Sequence, residues 1–297
     1  MIAVKNYKFW FCTGSQDLYG DECLAHVAEH SGIIVDSLNK SGILPYEVVW
    51  KPTLITNELI RRTFNEANAD EECAGVITWM HTFSPAKSWI LGLQEYRKPL
   101  MHFHTQFNQE IPYDTIDMDF MNENQSAHGD REYGHMVTRM GIERKVIVGH
   151  WSDEKVVGRI AAWMRTAVGI MESSHVRVAR FADNMRNVAV TEGDKVEAQM
   201  KFGWEVDAYP VNELAEYVKA VPKGDITALV DEYYSKYTIL PEGRDPEEFK
   251  RHVAVQAQIE AGLEKFLLRK GLPRHRYPLW GFGRAAAAFP VWLSSVS

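Results

Sequence analysis

The densest side-chain chemistry in the chain lies between Pro99 and Met136, in PLMHFHTQFNQEIPYDTIDMDFMNENQSAHGDREYGHM. His102 and His104 alternate, so a strand would turn both to one face, as a metal site requires. No third ligand falls at a natural spacing, however, and buried strand histidines are commonly just hydrogen-bonded, so neither is assigned to a metal. Further on, Asn124, Gln125, Ser126 and His128 bring amides, a hydroxyl and an imidazole to the approach of a helix expected near Gly129. Many neutral donors and acceptors beside aromatic residues make an inventory suited to a polyhydroxylated ligand.

Three other turns carry comparable groups. Gly14-Ser-Gln-Asp-Leu-Tyr-Gly20 brackets polar and aromatic residues with two glycines. It is not GxGxxG and lacks the glycines that a pyrophosphate needs, so a polar wall formed by Gln16 and Tyr19 is the better reading than a dinucleotide site. In His81-Thr-Phe-Ser-Pro-Ala-Lys87, Ser84 and Pro85 read as a helix start, which leaves His81 and Phe83 at the tip of a strand. His81 is open to two readings, a backbone-bonded histidine or a site residue. Phe181-Ala-Asp-Asn-Met-Arg186 holds polar groups and Met185 at another strand end, and is equally consistent with a solvated turn.

The elements that position these turns follow from hydrophobic periodicity. Tyr7 to Thr13, Pro45 to Trp50, Gly75 to Trp79, Pro99 to His104, Arg144 to Gly149 and Val176 to Arg180 are short apolar runs, separated by amphipathic stretches. One such stretch carries Leu24, Val27, Ile34 and Leu38, and another carries Val156, Ile160, Met164 and Val168. Alternation of this kind implies a doubly wound α/β domain, Rossmann- or flavodoxin-like, with a parallel sheet covered on both faces and ligands beyond the carboxyl ends of the strands. The segment after His104 loses both periods until Gly129, and its Phe107, Tyr113, Ile116, Met118, Phe120 and Met121 argue for an ordered loop that walls a site. A second α/β unit starts at Val176, so the expected division is 1–175, 176–270 and a tail, 271–297.

At 297 residues, 45% hydrophobic and 25% charged, the chain has ordinary globular make-up. A formal charge of -7 with no basic face disfavours nucleic acid, and no apolar run or basic amphipathic segment points to a membrane. The opening MIAVKNYKFWFCTGSQ reads as a first strand rather than a signal peptide. Cys12, Cys23 and Cys73 are odd in number without metal spacing, which fits a reduced, cytoplasmic protein.

In the second unit, Asp245-Pro-Glu-Glu248 gives an N-cap, a proline at the first helical position and acid in the first turn of a helix reaching Lys270. The text then changes. Although 40 residues of the chain are acidic, none follows Glu264, and GLPRHRYPLWGFGRAAAAFPVWLSSVS has neither helical nor strand periodicity.

Over its first 270 residues the chain resembles L-arabinose isomerase. The motifs that carry this are GSQDLYG from Gly14, WMHTFSPAK from Trp79, FHTQFN from Phe103, IDMDFMN from Ile116, QSAHG from Gln125, DNMR from Asp183 and VDEY from Val230. The resemblance implies an aldose-ketose isomerase of L-arabinose catabolism, moving hydrogen between C1 and C2 of L-arabinose to give L-ribulose. It also implies Mn2+ and a homohexamer in which the N-terminal domain lines a neighbouring subunit's site. By position, Gln16, Leu18, Phe83, Gln125 and His128 would be substrate-site wall residues, and Met185 would belong to the cleft of its own chain. The glutamate and histidine ligands of the family's metal, its acid and base among them, would fall beyond this chain, as would a third, β-rich domain. The central domain is then incomplete, and the chain is expected to be inactive alone.

The tail suggests a slip of reading frame near Gly271. Permitted codons for Ala288 to Ser297, read two nucleotides later, give Leu-Pro-Gly-Leu-Ala-Val-Gln-Arg-Leu, similar to the family's continuation. An alternative reading of the whole chain is a non-catalytic sugar-binding α/β module.

Overall fold

The computed structural model describes residues 6–272 apart from 183, 185, 186, 190, 191 and 242. The chain forms two compact units, Ala3–Glu172 and Ser173–Ser297 with Met1–Ile2, each described here by itself.

The first unit is built on a parallel sheet of β1 (Lys8–Gly14), β2 (Glu47–Leu54), β3 (Cys73–Met80), β4 (Leu100–His104) and β5 (Lys145–Val148), in the order β2-β1-β3-β4-β5. Its helices are α1 (Gly20–Lys40), α2 (Asn57–Ala69), α3 (Ile90–Glu95), α4 (Met118–Glu123), α5 (Ser126–Arg139) and α6 (Glu154–Ser173). The strands read as apolar runs because both faces are covered. Phe9, Phe11, Ile77, Trp79, Met101 and Phe103 pack under α1 and α6. Their neighbours Trp10, Cys12, Val76, Met80 and Leu100 pack under α2, α3 and α5. Each such buried side chain contributes roughly 1.5–3 kcal/mol, so the alternation fixes the register of every strand.

The chain leaves β1 for α1 on one face and leaves β3 for α3 on the other, although the two strands are neighbours. This is the switch point of the flavodoxin-like order, where the connections diverge and a crevice opens beyond the carboxyl ends. Gly14 closes β1 there under severe packing. A Cβ on it would stand 2.6 Å from Met80 Sδ, 2.7 Å from the Trp89 ring and 2.9 Å from Ser84 Cβ.

Two local expectations are corrected. The aperiodic stretch is shorter than the sequence suggests, because Asp117 caps α4 by accepting from the Phe120 N–H at 2.8 Å, and α5 begins at Ser126 rather than Gly129. Ser84 is not a helix cap. Its Oγ accepts from Trp89 Nε1 at 2.9 Å, and Pro85 precedes a single 3-10 turn, Ala86–Trp89, that leads into α3.

The second unit has two parallel strands, β6 (Arg177–Phe181) and β7 (Glu205–Tyr209), with α7 (Lys195–Phe202), α8 (Val211–Lys219), α9 (Lys223–Lys236) and α10 (Pro246–Arg269). Asp245 caps α10 as expected, accepting from the Glu248 N–H at 2.8 Å. Leu214, Phe266 and Leu272 form its small core, while Val196, Met200, Phe202 and Leu240 are exposed. The tail expected to be aberrant lies, from residue 273, outside the described residues.

Two outcomes follow. Gly14→Ala forces Met80 and Trp89 to move and should cost about 1–3 kcal/mol, read as a lower urea midpoint at unchanged m-value. Because the described residues of the second unit form only a small apolar core, limited proteolysis should leave a resistant fragment ending near Glu172. Equal loss of both units would contradict that.

Candidate functional site

Three segments meet at the carboxyl ends of β1 and β3. The Ser15 and Thr82 hydroxyls, both buried, lie 2.8 Å apart and join the turn after β1 to the turn after β3. The start of α5 closes on the same place. Gly129 permits this, since a Cβ there would lie 3.0 Å from Met80 Cβ and 3.1 Å from Thr82 O. Ser126 Oγ donates to His81 O at 3.3 Å, and the Ala86 N–H donates to Glu132 of α5 at 3.0 Å.

This frame gathers the turns that carry the expected wall residues. Phe83 and His128 are in ring contact at 4.8 Å. Gln16 is half-buried at the entry to a 3-10 turn, Asp17–Tyr19, one residue past the Ser15–Thr82 link. Gln125 is half-buried and donates to Asn122 Oδ1 at 3.3 Å. Leu18 is 80% exposed, so it projects from the edge instead of packing into it. Met185 lies outside the described residues. Two amides, an imidazole and a phenyl face can hydrogen-bond and stack against a neutral, hydroxyl-rich ligand.

The loop after β4 is anchored at its start, where Trp79 Nε1 donates to Thr105 O and Trp151 Nε1 to Phe107 O, each at 2.9 Å. Its later apolar residues are not packed into the core. Tyr113, Ile116, Met118 and Met121 are exposed, because they extend past the carboxyl edge of the sheet.

His102 and His104 share Asp130 of α5. Their Nε2 atoms lie 2.6 and 3.3 Å from its two carboxylate oxygens, and His102 Nδ1 lies 2.9 Å from Thr78 Oγ1. Asp130, buried beneath them, was not legible as a partner.

A second cluster was missed altogether. His81, fully buried, stacks on Trp79 at 4.4 Å and places Nε2 2.7 Å from Nδ1 of His30 on α1. His30 stacks on Phe107 at 3.6 Å, and Glu123 Oε1 of α4 lies 3.2 Å from its Nδ1 and 4.0 Å from His81 Nε2. His26, one helical turn earlier, sets Nδ1 3.5 Å from Glu123 Oε2. His81 Nδ1 is buried without a hydrogen bond of good geometry. Burial, reinforced by His30, pushes the His81 imidazole down to about 3, and burial also lowers that of His30. The available signal was the His26-x3-His30 spacing, which puts both rings on one face of a helix.

Residues 3–175 match the family model of the L-arabinose isomerase N-terminal domain, and residues 177–275 match that of the L-arabinose isomerase central domain. The chain is similar to L-arabinose isomerase of Geobacillus stearothermophilus, with 57% identity over 267 residues, which is 90% of this chain and 54% of the relative. It is 54% identical to that of Halalkalibacterium halodurans over 271 residues, 91% of this chain and 54% of the relative. With that of Clostridium beijerinckii it shares 55% identity over 271 residues, again 91% and 54%. The chain thus spans about half the length of the curated relatives it matches.

Folded His81 binds a proton far less tightly than an unfolded histidine, whose value is 6.5 against about 3. The unfolded chain therefore carries more protons between these values, and stability falls as pH drops through that window. In chelator-treated protein the first unit should lose about 2 kcal/mol between pH 7.5 and 5 from this group. Urea unfolding of a His81→Gln variant should lack that part of the slope.

Proposed function

Because the chain belongs to the L-arabinose isomerase family, we propose that it supplies part of an enzyme interconverting L-arabinose, or a related aldose, and L-ribulose or the matching ketose. The observation that carries this is the meeting of Phe83, Gln125 and His128 with the Gln16 turn at the switch point between β1 and β3. Their part in the reaction is to bind and orient. The amides and the imidazole address sugar hydroxyls, and the Phe83 ring lies against a carbon face. By the resemblance, Met185 belongs instead to the cleft of its own chain, and it lies outside the described residues.

The exposed Leu18, Tyr113, Met118 and Met121 all follow the carboxyl ends of strands and leave apolar surface beside this wall. Such surface is suited to burial against another subunit, in keeping with a homohexamer that completes each site from a neighbouring chain. The free cysteines Cys12, Cys23 and Cys73 fit a cytoplasmic enzyme. Among the described residues no helix is long and apolar enough to cross a membrane.

The Mn2+ that the family resemblance implies would polarise sugar oxygens. Among the described residues the candidate ligand cluster offers two imidazoles and a single carboxylate, fewer carboxylates than the ligand set the resemblance implies, so that ion is not assigned to it. The ligands of Mn2+, and the acid and base of hydrogen transfer, are assigned to the length of the relatives that this chain does not span.

The purified 297-residue chain given Mn2+ and L-arabinose should form no L-ribulose above a vector control, and turnover would refute the division of labour. Calorimetry with L-arabinose and no metal should show no tight binding. Tight binding would instead support a self-sufficient sugar-binding module.

A further inference from the structure

His30 Nδ1, His81 Nε2 and Glu123 Oε1 form a triangle of 2.7, 3.2 and 4.0 Å. Hydrogen bonding alone serves it poorly. If both rings are neutral, a proton on the 2.7 Å edge cannot also be directed at Glu123 Oε1, so one of the two short edges lacks a directed hydrogen bond. A single Lewis acid at the centre would use all three lone pairs at once. Ligand atoms about 2.0–2.1 Å from a tetrahedral ion stand about 3.3 Å apart, a separation that the observed edges straddle.

The scaffold suits such a role. His81 is fixed at a strand end by its stack on Trp79, with planes 14° apart. His30 is fixed on a long helix by its stack on Phe107, with planes 10° apart. Phe107 is held in turn through its carbonyl by Trp151. His26, half exposed and 3.5 Å from Glu123, leaves a fourth position for its own ring or for water.

We infer that His30, His81 and Glu123 bind one divalent transition-metal ion of the zinc class, which ties α1, the end of β3 and α4 together. Two imidazoles with a single carboxylate match Zn2+, Co2+ or Ni2+ better than Mg2+ or Ca2+. Glu123 lies two residues before Gln125, so the ion would brace the approach to that residue. The inference stands whether or not the wall binds a sugar.

The test uses the chelator-treated full chain, titrated with Zn2+ by calorimetry and with Co2+ followed by visible absorption. The expected result is one saturable site per chain, with the intense Co2+ bands of a four- or five-coordinate ion. Glu123→Gln and His30→Gln should each weaken binding at least tenfold, while His135→Gln, at an exposed histidine of α5, should leave it unchanged. As a check independent of substitution, Zn2+ should raise the unfolding midpoint of the unsubstituted first unit in proportion to the logarithm of its concentration. Absence of stoichiometric binding, binding by both ligand variants as tight as that of the unsubstituted chain, or an unmoved midpoint would each overturn the inference.

Discussion

The structure depends on two adjacent parallel strands sending their chains to opposite faces of one sheet. β1 and β3 run side by side, yet α1 packs over Phe11 and Trp79 while α3 packs over Cys12 and Met80. No main-chain connection then crosses the crest between the two strands. Polar turn residues can sit there without sacrificing core, and the buried Ser15–Thr82 hydroxyl pair holds the two turns in step. Every described wall residue stands within a few residues of that crest or on a helix drawn against it.

The crest is also where backbone and side chain approach most closely. Gly14 and Gly129 leave no room for a Cβ against Met80, one from β1 and the other from α5. These contacts bring the helix carrying His128 up to the turn carrying Phe83. Spacing among the wall residues is therefore set by core packing, not by the loops themselves, and the site inherits its precision from the sheet.

Much of this was legible in the sequence, and the reasons are physical. Strands covered on both faces read as unbroken apolar runs, so Phe9 to Cys12 and Val76 to Trp79 declared themselves. Gln16, Phe83 and His128 stood out as polar and aromatic groups near strand ends, and the fold places the first two in turns and His128 at the start of α5. The failures have causes as well. Helix α4 is six residues long with Met118 and Met121 exposed, so no periodicity betrays it; a single capping aspartate does. Asp130 had no role in the sequence reading, and the fold sets it against His102 and His104. His30, His81 and Glu123 come from α1, the turn after β3 and α4, so their convergence exists only in three dimensions.

The central claim, that the carboxyl edge of the first unit is one wall of a sugar site, is tested most directly by nuclear magnetic resonance. The 15N-labelled chain would be titrated with L-arabinose. The account predicts weak, saturable shifts confined to the side-chain amides of Gln16 and Gln125 and the backbone amides of Phe83 and His128. Saturable shifts elsewhere, with these four positions unmoved, would contradict it.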